Sequence, residues 1–324
     1  MVAVSANSLP HNRLLTRFAW FVVFYNVLVI VWGALVRASG SGAGCGNHWP
    51  LCNGQVIPVS PGFHTIIEFT HRMMVGGSTF LVLALLVSSF LATVKGHAAR
   101  ALVVASTLLL LNEGFLGALL VKLGYVAGNQ SSGRIVLLSV HLGNTLLLLA
   151  ALTLTARFLS TGQRCADLPL TRRSVGVMEG LVTTIFVGIT GSIAALGDTL
   201  FPAASLHSSI AQDLAAGSPM LLRLRLVHPA LALVAALFAL WLIAQSRRSG
   251  TPQSPALNSS RARLANLLLL LLALQFALGI ADVLLLAPAW MQLLHLLGAD
   301  LFWIALVLLA AETLWPTAPS PTDA

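Results

Sequence analysis

Charge is what this sequence has least of. Of 324 residues only 9% are Asp, Glu, Lys or Arg, and the acidic side chains number 10. A soluble domain carries roughly a quarter charged residues, so a secreted module and a disordered chain are both excluded. Cysteine is scarce as well, at three. What fills the space is apolar: 57% of the chain, with a mean hydropathy of +0.89. The net charge of +8 would suit a nucleic-acid partner. The basic residues, however, sit in short clusters between long apolar runs, which is the pattern of membrane topology, and nucleic-acid binding is excluded. By length alone the chain would make two domains; as a membrane protein it has room for about eight spans of roughly 20 residues.

Eight runs are long enough to cross a bilayer: 17–37, 66–94, 101–122, 135–157, 175–197, 221–245, 264–286 and 289–312. Each must be helical, because backbone amides find no water partner in hydrocarbon. A β-barrel would show short alternating strands, not runs such as Leu267 to Leu272. The expected fold class is therefore all-α and polytopic. Arg13 and Arg17 precede span 1; Lys95 and Arg100 join spans 2 and 3. Arg157, Arg164, Arg172 and Arg173 join spans 4 and 5, and Arg247, Arg248, Arg261 and Arg263 join spans 6 and 7. All fall on one side, while loops 38–65 and 198–220 contain no Lys or Arg. The positive-inside rule makes the basic side cytoplasmic, with both termini there. The first 16 residues are too short for a transit peptide and span 1 too long for a signal segment, so a bacterial plasma (inner) membrane fits best. Linker 158–174 divides the spans into two sets of four; the 246–263 loop and the tail after Trp315 read as flexible.

The two sets look like a duplication. Glu68-Phe69-Thr70-His71-Arg72 in span 2 answers to Arg225-Leu226-Val227-His228-Pro229 in span 6. Val140-His141-Leu142-Gly143 in span 4 answers to Leu294-His295-Leu296-Leu297-Gly298 in span 8. Glu113-Gly114-Phe115-Leu116-Gly117 in span 3 answers to Gln275-Phe276-Ala277-Leu278-Gly279 in span 7. Four spans per half give both halves one orientation, hence a parallel repeat about an axis along the membrane normal, as two tandem four-helix bundles. The expected halves are 1–165 and 166–324.

Of nine histidines, only His71, His141, His228 and His295 lie within these spans, all in even-numbered ones and at similar depth. A lone membrane histidine is often an interhelical hydrogen-bonding group. Four at matching positions of a repeat point instead to ligands, and two imidazoles facing each other across a bundle hold one haem iron from both sides. Zinc is less well served, since Cys and clustered carboxylates are missing beside them. No span carries two such histidines, so one haem per half is the natural count.

Glu68 lies three residues before His71 on the same helix face. A carboxyl there suits proton handling; the alternative is an ion pair with Arg72 or a hydrogen bond to a histidine. The matching position holds Arg225, so the halves share ligands but not chemistry. Arg72, Arg223 and Arg225 can pair with haem propionates or snorkel to headgroups. Glu113 lies near mid-membrane beside Asn112 with no role that the pattern assigns. Cys45 and Cys52, in the first outer loop, face the oxidising side: either a structural disulfide or a redox-active pair. Cys165, in the linker, reads as a free thiol.

Gly33-Ala34-Leu35-Val36-Arg37, then Ser39-Gly40-Ser41-Gly42, then Cys45 through Trp49-Pro50-Leu51-Cys52-Asn53-Gly54, resembles the first loop of the haem A synthase family. Glu68-x-x-His71-Arg72 resembles that family's second span, and His141, His228 and His295 fall where its other histidines stand. The resemblance covers essentially the whole chain. It implies oxidation of the C8 methyl group of haem O to the formyl group of haem A, by successive hydroxylations and loss of water from a hydrated aldehyde. It implies that His71 and His141, with Arg72, face the substrate haem, that Glu68 is the acid–base group, and that His228 and His295 are axial ligands of a haem b, with Arg225 a propionate contact. Cys45 and Cys52 would be the loop pair. Haem O is the implied substrate, a haem O synthase the upstream partner, cytochrome oxidase assembly factors further partners, and an aa3-type oxidase the user of the product. A second cysteine pair found in some members is absent here. Pro229 follows His228 where the first half has Arg72, which reads as geometry. Two other readings stand beside this one: a bis-His b-type quinol oxidoreductase, with Glu68 moving quinol protons, and a haem or metal transporter, which the scarcity of polar groups near the cytoplasmic ends disfavours. Oligomeric state, electron donor and oxygen source are left open.

Overall fold

A computed structural model describes residues 12–162, 171–248 and 255–315, the side chains of 255–259 excepted. Arg164, Cys165 and the expected boundary between the halves lie outside the described residues. Among the described residues the chain is helical, with no strand. The helices are α1 (Arg13–Ala38), α2 (Phe63–Ala92), α3 (Ala98–Lys122), α4 (Ser132–Thr161), α5 (Arg172–Leu200), α6 (Leu206–Leu214), α7 (Met220–Arg225), α8 (Val227–Arg248), α9 (Pro255–Leu284) and α10 (Ala289–Leu314). Eight helical segments are long and apolar enough to cross a membrane, α7 and α8 together forming the sixth. The all-helical polytopic architecture expected from the apolar runs is the one found.

The helices begin earlier than their apolar cores because polar caps lie upstream. Asn12 Oδ1 accepts the N–H of Leu15 at 3.1 Å, and Ser131 Oγ accepts that of Arg134 at 3.3 Å. Thr171 and Ser174 form a reciprocal capping box at the start of α5. Before α10, Leu286 and Ala287 take φ of 63° and 51°, which ends α9 sooner than hydropathy alone indicates. Two features were not expected. The short helix α6 occupies the 198–220 loop, and span 6 breaks at Leu226. Pro229 falls in the first turn of α8, where its missing N–H leaves no ladder bond unmade.

The first four helices pack in a ring: α1 beside α2, α2 beside α3, α3 beside α4, and α4 back against α1. In the same order α5 meets α8, α8 meets α9, α9 meets α10, and α10 returns to α5. Between these rings α4 packs on α5 and α10, and α10 also touches α1. Accordingly α4 and α10 are the most enclosed helices, with Leu149, Leu152, Leu306 and Leu309 fully buried. Trp303 Nε1 of α10 donates to the Leu146 carbonyl of α4 at 2.9 Å, satisfying an indole N–H that apolar surroundings would otherwise strand. Outward positions such as Phe80, Leu91 and Leu237 are exposed, as a lipid-facing surface requires.

Candidate functional site

The four histidines all stand toward the N-terminal ends of even-numbered spans, at the end of the molecule that carries the 39–62 loop. Each imidazole lies against a glycine of the preceding spanning helix. A Cβ on Gly33 of α1 would lie 3.0 Å from His71 Cε1, and one on Gly191 of α5 would lie 2.9 Å from His228 Cε1. On Gly279 of α9 it would lie 3.3 Å from His295 Cε1; on Gly117 of α3, a relaxed 3.9 Å from His141 Cε1. All four rings thus turn the same edge to a backbone with no side chain in the way.

The ring nitrogens are set differently. His228 Nδ1 lies 3.1 Å from the Val187 carbonyl oxygen. A carbonyl only accepts, so Nδ1 carries the proton and Nε2 keeps its lone pair. Nδ1 of His71, His141 and His295 is buried without a hydrogen bond. The His228 and His295 ring centres are 6.3 Å apart with their planes at 87°. Two imidazoles joined to one metal by bonds of about 2.0 Å each bring their ring centres to roughly 6 Å, so this pair fits a shared iron. His71 and His141 are electrostatic neighbours in the first ring. Glycine cradles and the 6.3 Å spacing together fit a haem between paired histidines.

Glu68 is buried, 3% exposed. Its Oε2 accepts the N–H of Cys45 at 2.8 Å and its Oε1 pairs with Arg72. Arg72 also donates to the carbonyls of His48 and Leu51, at 2.8 and 2.7 Å. Cys45 and Cys52 are joined in a disulfide. The loop is seated on the start of α2, where Thr65 Oγ1 donates to the Gly44 carbonyl at 2.7 Å. A Cβ on Gly44 would lie 2.3 Å from the His64 carbonyl oxygen, so only glycine permits that approach. Glu68, Arg72 and the cysteine loop are therefore one assembly, one turn from His71.

Arg225 occupies the matching place in the other ring with different partners. It donates to Asp198 through Nη1 at 2.6 Å and to Asp213 through Nε and Nη2 at 2.9 and 2.6 Å. Arg223 donates to the Ala216 carbonyl. Glu113 of α3 bonds across to α4, through Asn144 and Thr145, while Asn112 donates to Asn144 at 2.8 Å.

Arg37 escaped the sequence reading as a site residue. From the end of α1 it donates to the Ala195 carbonyl at 2.7 Å, to Thr199 Oγ1 at 2.9 Å and to Gln292 Oε1 at 2.9 Å, binding the first ring to α5 and α10. A signal was present: an arginine ending span 1 on the side otherwise poor in positive charge. The cradle glycines were also missed, though Gly117 and Gly279 lie inside the repeated segments of spans 3 and 7.

A family model described as "Cytochrome oxidase assembly protein" (COX15-CtaA) matches residues 16–307. A "Protoheme IX farnesyltransferase" of Thermus thermophilus is 42% identical over 308 residues, 93% of this chain and 48% of its own length. A "Heme A synthase" of an Exiguobacterium species is 31% identical over 182 residues, 56% of this chain and 58% of its own. Another "Heme A synthase", of Shouchella clausii, is 38% identical over 131 residues, 40% of this chain and 41% of its own. The chain thus spans about half the length of the curated relatives it matches. With a family match running from α1 into α10, over the same helices that carry the four histidines and the Glu68–Arg72 loop assembly, this multi-pass membrane protein belongs to the COX15-CtaA family.

Proposed function

We propose that this chain is a haem A synthase, oxidising the C8 methyl group of haem O to a formyl group. The observation that carries the reading is the His228–His295 pair, 6.3 Å between ring centres, with the His228 proton held on Nδ1 and Nε2 left to bind a metal. Bound there, a haem b supplies a one-electron relay. In residues 1–165, His71 and His141 receive the substrate haem O, and in residues 166–324, His228 and His295 hold the haem b.

Glu68 is the only acidic side chain in this family motif, and its place one turn from His71 supports an acid–base role. Its oxygens are held by Cys45 N–H and by Arg72, so proton exchange is coupled to the loop's seating. Arg72 orients that carboxyl at the substrate side. Arg225, three residues before His228 and fixed by Asp198 and Asp213, is the proposed propionate contact of the other half. The Cys45–Cys52 bond acts as the staple that holds the loop over Glu68.

The relatives' names support a place beside prenylated haems. Farnesyl transfer to protohaem yields a haem with a lipid tail, the class of substrate that a membrane-embedded haem oxidase receives, so a haem O synthase is the proposed upstream partner. The distribution of arginines supports a bacterial plasma membrane location with both termini cytoplasmic.

The test is expression in cells that make haem O, followed by pigment extraction. Haem A should appear, and should vanish with Glu68→Ala or His71→Ala. Purified protein that never contains haem would overturn the reading.

A further inference from the structure

We propose that Glu113 is a positioning residue that sets which ring nitrogen of His141 carries the proton and how electron-rich that ligand is, and that Gln275, at the matching place, leaves His295 without that influence. This rests on the haem reading above.

Glu113 Oε1 stands 3.3 Å from His141 Nδ1, close enough for an ion-pair contact, though not aligned as a hydrogen bond. The carboxyl is held from α4 one turn beyond the histidine, by Asn144 and Thr145. Asn144 Nδ2 donates to Oε2, and the Thr145 hydroxyl lies between Oε1 and the His141 carbonyl, 2.9 Å from the latter. Asn144 is itself fixed, donating to the Leu109 carbonyl at 2.9 Å and accepting from Asn112 at 2.8 Å. Oε2 is taken up by the Asn144 amide, which turns Oε1 to the imidazole. It draws the imidazole proton to Nδ1 and leaves Nε2 as the lone-pair nitrogen. A carboxylate behind a ligating histidine also makes that ligand more electron-rich.

The second ring supplies the contrast. Gly117 and Gly279 stand beside His141 and His295, and four residues before each lies Glu113 or Gln275. Gln275 donates through Nε2 to the His295 backbone carbonyl at 3.3 Å, and His295 Nδ1 has no hydrogen bond. One turn of helix before the cradle glycine, then, the first half places a carboxyl group and the second an amide. A more electron-rich ligand favours the oxidised form of its metal. The half assigned to substrate oxidation is thereby poised at lower potential than the half assigned to electron relay.

The reciprocal exchange tests it. Full-length Glu113→Gln and Gln275→Glu proteins, purified from cells making haem O and protohaem, are titrated optically for the midpoint potential of each bound haem. Glu113→Gln should raise the potential of the first-half haem and leave the other in place. Gln275→Glu should lower that of the second-half haem. Glu113→Asp should restore part of the first shift. Unchanged potentials in haem-loaded variants would overturn the proposal while leaving the haem reading intact. Wild-type protein lacking haem at either pair would instead remove the reading beneath it. Should Glu113→Gln fail to fold, the reverse exchange measures the same coupling in the other ring.

Discussion

The Glu68 carboxylate accepts the backbone N–H of Cys45 at 2.8 Å, and so joins a buried acid of α2 to the first cysteine of the loop above it. Arg72 closes the assembly by gripping both Glu68 and the loop carbonyls. With the arginine removed, Glu68 remains buried without its countercharge. Breaking one side of such a pair costs about 3–5 kcal/mol. Arg72→Ala should therefore melt at markedly lower temperature in detergent and expose 45–55 to protease. An unchanged melting curve and digestion pattern would show that the pair contributes little.

The glycine cradles predict a graded response. Alanine at Gly191 or Gly33 puts a methyl within 2.9 or 3.0 Å of an imidazole carbon, tighter than a normal contact, so the ring must shift. At Gly117 the distance is 3.9 Å and the ring stays where it is. Electron paramagnetic resonance of bis-histidine haem reads the orientation of the ligand planes. Gly191→Ala should move those signals or lose the haem; Gly117→Ala should leave them at wild-type values. Equal effects at both would contradict the cradle.

Arg37 predicts an energetic link between rings. Hydrogen bonds to a charged group contribute about 1.5–3 kcal/mol. Arg37→Ala should destabilise the protein far more than Arg223→Ala, whose guanidinium, among the described residues, donates to the Ala216 carbonyl near its own helix. In a double-mutant cycle with Gln292→Ala, the two changes should be non-additive. Strict additivity would mean that the 2.9 Å contact carries no coupling.

His97 predicts a pH dependence. It is buried between α2 and α3, and its Nδ1 accepts the Ala99 N–H at 3.1 Å, capping α3. Burial, and secondarily Arg100, lower its pKa below the ordinary value of 6.5. The native state therefore favours the neutral ring, and protonation also destroys the cap. Its contribution is complete above about pH 6.5 and declines as pH falls from there toward the lowered native pKa. His97→Asn keeps a capping acceptor without titrating. Wild type should lose more melting temperature than His97→Asn between pH 7.5 and 5.5; parallel losses would sink the assignment.

Spanning helices were legible because hydrocarbon leaves no alternative to an apolar run of fixed length. Their ends were less so: caps such as Asn12 and Ser131 are polar and lie outside the hydropathy signal. The break at Leu226 and the helix α6 went unread: α6 is nine residues long, too short for a hydropathy signal, although Ser205 and Ser208 form a capping box at its start. His228 and His295 could be paired from the repeat alone, but not their spacing. Arg37 reads as an ordinary flanking charge until Ala195, Thr199 and Gln292, more than 150 residues away, are brought beside it. Glu113 was noticed without a role because its partners, His141, Asn144 and Thr145, belong to another helix.

The bond from Arg37 to Gln292 joins the first membrane segment to the last. During synthesis α1 is made long before α10, so its terminal guanidinium meets the Ala195 and Thr199 acceptors of α5 before that of Gln292 exists. A chain that stops before α10 leaves one side of that guanidinium without its partner. Arrival of α10 completes a clasp that α5 begins, so the order in which the helices are made is also the order in which this cation is enclosed.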